Sequence, residues 1–257
     1  MITGADRRSV TEFAKRTVEV EGIRFNLRSG GHGGLRFLLV HGIGVSHRYF
    51  LPLARELAQY ASVSVVDLPG FGGTPKPEHS LGIGDFARLT LAALEMDDDG
   101  GPAVVVGHSM GTQIAIEMAR QQPAAVAGVV LLGPTTDRAA RNTPAQGWRL
   151  LKDVLREPFT SNVVVFTDYL RCGPVWYAKI LPAMLNYETE NRIREIETPL
   201  VVARGEHDPV APRAWVHQLA GLSRNGRAIE IAGKPHVVMF IHPEAVAQLC
   251  LEVAARC

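Results

Sequence analysis

The stretch Val104-Val105-Val106-Gly107-His108-Ser109-Met110-Gly111 joins an apolar, strand-like run to a segment with helical periodicity. A serine held on such a sharp strand-to-helix turn must adopt a strained backbone. The glycines two residues before and after it lack the Cβ atoms that would clash there. The side chain of Ser109 then projects above the sheet. The pattern therefore predicts an α/β sheet that presents Ser109 as a nucleophile.

The same rhythm of a short apolar run, a turn and a helical segment recurs along the chain. That alternation is typical of β-α units in a mostly parallel sheet with helices on both faces. An earlier alternating stretch, Thr17 to Leu27, predicts an antiparallel hairpin at one edge of the sheet. The predicted parallel strands are Phe37–Val40, Val63–Leu68, Ala103–Val106, Val129–Leu132, Leu200–Ala203 and Ala228–Ile231.

The composition narrows the class of protein. The chain has 257 residues, of which 46% are hydrophobic and 21% charged, and its net charge is +1. These values argue against a disordered or coiled-coil protein. They also show no excess of positive charge that would attract nucleic acid or an anionic membrane. No secretory signal or membrane-spanning run is evident, and the three cysteines form no C-x-x-C pair. We therefore expect a cytoplasmic protein that binds a small molecule, with its oligomeric state left open.

Two polar residues that follow later strands can complete a nucleophilic site with Ser109. A serine hydroxyl needs a base to take its proton and a carboxylate to orient that base. Asp208 follows the strand Leu200–Ala203 and His236 follows the strand Ala228–Ile231, at the sheet edge where ligands bind in open α/β sheets. The rivals are Asp137 and Glu206 for the acid and His41, His108, His207 and His242 for the base. The chain order of serine, acid and histidine favours Asp208 and His236.

A tetrahedral intermediate also needs two backbone N–H groups that stabilise its negative oxygen. One is expected from Met110, directly after the nucleophile. The second is expected from the glycine-containing loop after the strand at Leu38–Val40, and we assign it to the amide of Ile43. A dinucleotide-binding loop is the competing interpretation of Gly42-x-Gly44, but position 47 holds His47 instead of a third glycine.

The alternation of strands and helices stops after Val129–Leu132, which is the sixth predicted strand when the hairpin is counted as two. Trp148–Leu155 and Phe166–Leu170 look helical, whereas Asn162–Thr167 is rich enough in β-branched residues to be ambiguous. We expect a helical insertion between two strands of the sheet. The predicted division is an α/β core of residues 1–133 and 197–257 and an insertion of residues 134–196.

The insertion is rich in aromatic side chains, which can line an apolar pocket or pack this segment onto the sheet. Both uses remain open at this point. The expected pocket residues are His41, Gly42 and His108 near the nucleophile and Trp148, Phe166, Tyr169 and Trp176 in the insertion. No cluster of histidine, cysteine or carboxylate has metal-ligand spacing, so neither a metal nor a cofactor is expected.

Five strings distributed along the chain suggest a family. They are His41-Gly-Ile-Gly44, Asp67-Leu-Pro-Gly-Phe-Gly-Gly-Thr74, Gly107-His-Ser-Met-Gly111, Arg204-Gly-Glu-His-Asp-Pro209 and Pro235-His236. In this order they resemble the signature blocks of the α/β-hydrolase family. The resemblance implies an eight-stranded, mostly parallel sheet, a helical cap after strand 6 and a catalytic triad of Ser109, Asp208 and His236.

Differences from the family's subgroups narrow the expected reaction. Epoxide hydrolases and haloalkane dehalogenases are similar but use an aspartate where this chain has Ser109. Ring-cleavage carbon-carbon hydrolases usually have asparagine, glycine and tryptophan where this chain has His108, Thr112 and Val237. We expect a carboxylesterase-like, cofactor-independent serine hydrolase that cleaves an ester, thioester or lactone of a small, largely apolar substrate through an acyl-enzyme. The alternatives are a carbon-carbon hydrolase or lyase on the same triad, and a small-molecule receptor on the hydrolase scaffold.

Overall fold

The computed structural model describes residues 12–97, 101–137 and 159–257. Its strands are β1 (Ala14–Val20), β2 (Ile23–Gly31), β3 (Arg36–Val40), β4 (Ser62–Asp67), β5 (Ala103–His108), β6 (Val126–Leu132), β7 (Leu200–Gly205) and β8 (Gly226–Ile231). They form one eight-stranded sheet in the order β1-β2-β4-β3-β5-β6-β7-β8. The hairpin β1-β2 and the pair β2-β4 are antiparallel, and every pair from β4 to β8 is parallel. The predicted mostly parallel sheet with an antiparallel edge is confirmed.

The helices alternate with the strands except between β6 and β7. They are α1 (Leu51–Leu57), α2 (Ile83–Asp97), α3 (Met110–Gln121), α4 (Phe159–Cys172), α5 (Pro174–Leu185), α6 (Thr189–Arg192), α7 (Arg213–Leu222), α8 (Val238–Ile241) and α9 (Pro243–Ala254). The ambiguous stretch Asn162–Thr167 is helical within α4. Val164, Val165 and Tyr169 of this helix pack against the core, and that packing outweighs the weak helix propensity of β-branched residues. The predicted helix at Trp148–Leu155 lies outside the described residues.

Apolar side chains cover both faces of the sheet. In β3, Leu38 and Val40 belong to one buried cluster, and Phe37 and Leu39 belong to the other, because successive strand residues point to opposite faces. Helices α2, α3 and α7 pack on the first face, and α1 and α9 pack on the second. Each fully buried leucine or phenylalanine contributes roughly 1.5–3 kcal/mol, so the strand ends are held on a rigid platform. Within the described ranges, no helix is both long and apolar enough to span a membrane.

Candidate active site

Ser109 lies on the turn between β5 and α3 in a conformation that non-glycine residues rarely adopt. Its φ is 54° and its ψ is −120°, a strain that costs about 1–3 kcal/mol. The two flanking glycines are required by close backbone contacts. A Cβ on Gly107 would lie 2.2 Å from the carbonyl oxygen of Gly111, and a Cβ on Gly111 would lie 2.1 Å from that of Val40. The G-x-S-x-G pattern therefore reports a tight strand-to-helix turn, as its residues predicted.

Asp208 and His236 form a buried pair at the ends of β7 and β8. Oδ2 of Asp208 lies 2.8 Å from Nδ1 of His236, and both side chains are buried. Oδ1 of the same carboxylate accepts the backbone N–H groups of Val210 at 2.7 Å and Ala211 at 3.0 Å. Because an ionised carboxylate can only accept, Nδ1 carries the proton and Nε2 of His236 is the basic nitrogen.

Arg204, on β7, supports the loop that carries Asp208. Its guanidinium donates to the backbone carbonyls of Glu206 and Asp208 at 2.9 Å and of Ala211 at 2.7 Å, and it also pairs with Glu230. These bonds fix the main chain on both sides of the carboxylate. Arg204 belongs to one of the five strings that resemble family signature blocks, but the sequence alone predicted no role for its side chain.

The alternative acids and bases lie in different surroundings. Glu206 accepts the exposed N–H of Gly233 at 2.7 Å, and His242 is a partly exposed neighbour of Glu244. His207 is exposed and Asp137 is buried. Of the candidate histidines, His236 is the one bonded to Asp208.

The loop after β3 is held by two side chains that bond to one glycine. The N–H of Gly42 donates to the Tyr49 hydroxyl at 2.8 Å, and Nδ1 of His41 lies 2.7 Å from the Gly42 carbonyl oxygen. The N–H of Leu68 donates to Nε2 of His41 at 3.0 Å, so Nδ1 is the protonated nitrogen and donates to Gly42. Burial lowers the pKa of His41 below its ordinary value, which agrees with this neutral form.

This arrangement also orients the next amide. The carbonyl of Gly42 and the N–H of Ile43 belong to one planar trans peptide group, so a bond to the carbonyl fixes the direction of the N–H. Ile43 lines the cavity that Ser109 lines. Met110 is the first residue of α3, and its N–H has no acceptor within the helix.

A cavity of about 390 Å³ lies between these loops and the helices α4 and α5. Ser109 and His236 both line it. Its other lining residues are Gly42, Ile43, Val45, Tyr49, His108, Thr135, Asn162, Val165, Tyr169, Leu170, Gly173, Pro174, Tyr177, Met184, Val210 and Val237. None of these described residues is an aspartate, glutamate, lysine or arginine.

The cavity lining departs from the expected pocket residues. Gly42, His108 and Tyr169 line the cavity, and Trp148 lies outside the described residues. Three other residues were expected there, and the structure places them elsewhere for different reasons. The ring of His41 bonds to the backbone of Gly42 and Leu68. Phe166 is 62% exposed on the outer face of α4. Trp176 packs against Gly70 and Phe71.

An ion pair between a buried carboxylate and a partly exposed arginine ties α4 to the loop after β3. Oδ2 of Asp168 accepts the Ser46 hydroxyl at 2.5 Å, and Oδ1 accepts the Arg48 guanidinium at 2.9 Å. Arg48 also donates to the hydroxyl of Thr167 at 2.8 Å. The sequence gave no signal for this contact, because its partners lie more than a hundred positions apart.

A comparison with models of protein families shows which family the chain belongs to. Residues 37–249 match the model described as the alpha/beta hydrolase family. The chain belongs to this family. The eight-stranded sheet and the strained serine turn are consistent with that membership.

The relatives of this chain include a depolymerase, a methyl ester esterase and a bifunctional protein of biotin biosynthesis. A poly(3-hydroxyalkanoate) depolymerase of Ectopseudomonas oleovorans is 25% identical over 92% of this chain and 91% of its own length. A pimeloyl-[acyl-carrier protein] methyl ester esterase of Methylococcus capsulatus is 26% identical over 86% of this chain and 95% of its own. The biotin biosynthesis bifunctional protein BioHC of Cellvibrio japonicus is 29% identical over 80% of this chain, which spans only 45% of that protein.

Solved structures show the same fold. A thermophilic esterase from Thermogutta terrifontis superposes with a TM-score of 0.80 at 20% identity, covering 95% of this chain and 98% of that one. At these identities the likeness establishes the fold alone. Among the described residues of this chain, no group of three or more histidines, cysteines and carboxylates could hold a metal ion.

Proposed function

We propose that the protein is a serine hydrolase that cleaves an ester, thioester or lactone of a small, largely apolar substrate. One observation carries the proposal: the strained Ser109 and His236, whose ring is bonded to the buried Asp208, line the same apolar cavity. The predicted triad supplies the three roles that acyl transfer needs, which are nucleophile, base and the carboxylate that orients the base. Relatives named as esterases support the same reaction class.

In the proposed mechanism, Nε2 of His236 takes the proton of Ser109 as its hydroxyl oxygen attacks the substrate carbonyl. Asp208 holds the imidazole in the required tautomer and stabilises the imidazolium. The amides of Ile43 and Met110 bind the negative oxygen of the tetrahedral intermediate. His236 then gives its proton to the leaving group, and water attacks the acyl-enzyme to release the acid.

The predicted cap of residues 134–196 enters the proposal as the substrate-selecting part of the molecule. Its described helices α4 and α5 contribute apolar side chains to the cavity, among them Val165, Tyr169, Tyr177 and Met184. Because the described lining residues carry no permanent charge that could pair with a carboxylate or ammonium, we propose an uncharged acyl group.

The experiment compares the wild type with Ser109→Ala on a panel of esters, thioesters, lactones and diketones. We expect a fluorophosphonate probe to label the wild type alone, and kcat on the best ester to fall at least about a thousandfold in the variant. Ester turnover that survives in Ser109→Ala would contradict the proposed nucleophile. Turnover of diketones alone would favour the carbon-carbon hydrolase, and tight binding with a single turnover would favour the receptor.

A further inference from the structure

Three buried hydrogen bonds link the loop after β3 to the loop that carries His236. The N–H of Gly42 lies 2.8 Å from the Tyr49 hydroxyl, and that hydroxyl lies 2.9 Å from Nδ1 of His108. Nε2 of His108 lies 3.2 Å from the backbone carbonyl oxygen of His236. Tyr49 is 1% exposed and His108 is 3% exposed, so water does not compete for these groups.

When His108 is neutral, the two ends of this series of hydrogen bonds fix the direction of every bond in it. The backbone N–H of Gly42 can only donate, and the backbone carbonyl of His236 can only accept. His108 must therefore donate from Nε2, which leaves Nδ1 of the neutral ring as an acceptor. The single proton of the Tyr49 hydroxyl then goes to Nδ1, and the hydroxyl oxygen accepts from Gly42. Each member is satisfied only while His108 stays neutral.

The protonation state and position of His108 suit the proposed chemistry. Its ring centroid lies 4.4 Å from that of His236. In the proposed mechanism His236 becomes positively charged, and a second charge at that distance would oppose this step. Burial, with His236 as a neighbour, lowers the pKa of His108 well below its ordinary value. His108 also directly precedes Ser109. It therefore lies beside the proposed nucleophile and the proposed base, and it is linked through Tyr49 to the loop of the proposed oxyanion amide.

We propose that Tyr49 and His108 are positioning residues. They hold the loop after β3, which carries Ile43, and the loop that carries His236 in fixed positions around Ser109. The inference rests on the proposed function, since it assigns these loops their roles. Tyr49 acts on the loop through Gly42, which precedes the proposed oxyanion amide of Ile43. His108 acts on the base through the main chain of His236. Neither side chain needs to exchange a proton with the substrate.

The test uses substitutions that break or restore the chain of bonds. Tyr49→Phe removes the hydroxyl, and His108→Leu removes both nitrogens. We expect either change to lower kcat and kcat/KM together by about tenfold to a hundredfold, with KM changed less than about threefold, because a displacement of about 1 Å acts on the transition state. His108→Gln keeps one acceptor and one donor in a single side chain, so it should recover part of the lost kcat.

Two further measurements separate positioning from packing. The double variant Tyr49→Phe, His108→Leu should lose about as much kcat as one single variant, because both break the same chain. Phe50→Leu is the matched control, since Phe50 is fully buried with its ring 6.5 Å from that of His108 and has no polar atom. It should lower the melting temperature without lowering kcat more than about twofold.

Amide exchange provides a readout that does not depend on activity. The Gly42 amide should exchange faster in His108→Leu, although His108 does not bond to Gly42 directly. Unchanged Gly42 exchange in that variant would overturn the linkage. Full kcat in Tyr49→Phe, additive losses in the double variant, or an equal loss in Phe50→Leu would overturn the positioning role. A wild type that neither labels nor turns over any ester would instead refute the proposed function, and Gly42 exchange would still report the state of the linkage.

Discussion

The two walls of the cavity are built in different ways. On the wall formed by the strand ends, Ser109, Gly42 and His236 are fixed by backbone contacts and by side chains with defined hydrogen bonds. On the wall formed by α4 and α5, apolar side chains such as Val165 and Leu170 meet the cavity. The first wall tolerates little change of atom position, whereas the apolar side chains of the second wall can be exchanged without leaving a buried polar group unpaired. We therefore expect that the proposed reaction and its choice of substrate can be changed separately in this molecule.

Replacing the proposed acid should give the largest effect on the strand-end wall. Asp208→Asn keeps the size of the side chain but removes its charge and allows the wrong imidazole tautomer, so we expect kcat to fall about ten-thousandfold. The measurement is single-turnover cleavage of a p-nitrophenyl ester. Glu206→Gln is the matched control, because this rival acid accepts an exposed amide, and it should retain kcat within about twofold. The assignment would be wrong if the control lost activity and Asp208→Asn retained it.

The serine turn should be intolerant of one methyl group. Gly107→Ala would place a Cβ 2.2 Å from a backbone oxygen, so we expect the free energy of unfolding to fall by about 3 kcal/mol or more. Urea unfolding measures the change. Gly221→Ala in α7 adds the same atom where nothing lies within 4 Å, and it should stabilise the protein by roughly 0.5–1 kcal/mol. Equal effects of the two substitutions would contradict the close contact.

Acid should destabilise the strand-end wall through its buried histidines. Burial lowers the pKa of His41 and of His108 below their ordinary values, so below about pH 6.5 the unfolded chain binds protons that the folded chain does not. The free energy of unfolding should therefore fall as pH falls below that value, by up to about 1.4 kcal/mol per pH unit for each histidine. His108→Gln should reduce this slope, whereas Phe50→Leu should leave it unchanged. The measurement is the free energy of unfolding from urea titrations between pH 5 and pH 8. If the expectation is wrong, it will depend on pH equally in the wild type and in His108→Gln.

A substitution on the helical wall should alter selection more than reaction. The ring of Tyr169 lies over Gly44, where a Cβ would be 2.2 Å from it, and makes an edge contact with Tyr177 at 5.8 Å. Tyr169→Ala should enlarge the cavity and shift the ratio of kcat/KM for long and short acyl esters about tenfold towards the longer chain. We expect kcat on an acetyl ester to change less than about threefold. An unchanged ratio would mean that the acyl group lies elsewhere.

The smallest effect is expected on the outer face of the same helix. Phe166 is 62% exposed and lies outside the cavity lining, so Phe166→Ser should change the free energy of unfolding by no more than about 0.5 kcal/mol. The ratio of kcat/KM for long and short esters should stay the same. A shift as large as that of Tyr169→Ala would show that the helix presents a different face to the substrate.

The sequence predicted the features that local backbone rules determine. Gly107, Ser109 and Gly111 could be placed on their turn because a few adjacent residues decide its geometry. The predicted acid and base, Asp208 and His236, lie at neighbouring strand ends because parallel strands bring their carboxyl ends to one edge. Their catalytic roles stay a prediction, since they depend on chemistry that has to be measured.

Contacts between distant segments could not be predicted in the same way. The role of Tyr49 depends on the distance from its hydroxyl to His108, and no spacing rule gives that distance. His41 stands next to Gly42, but its ring turns towards Leu68 and away from the cavity. Phe166 and Tyr169 are three residues apart on α4, and helix periodicity alone did not show which face is buried. Such contacts depend on tertiary packing, which a single sequence does not specify.

The buried carboxylate of Asp168 limits how this protein could be rebuilt from interchangeable parts. Ser46 and Arg48 both donate to it, and both lie directly after the loop that carries Ile43. A chimera that received foreign helices in place of α4 and α5 would leave these donors without their acceptor unless the graft brought an acid to the same place. Recombination between relatives that exchanges this segment would therefore have to preserve one polar contact, even where every apolar residue is replaced.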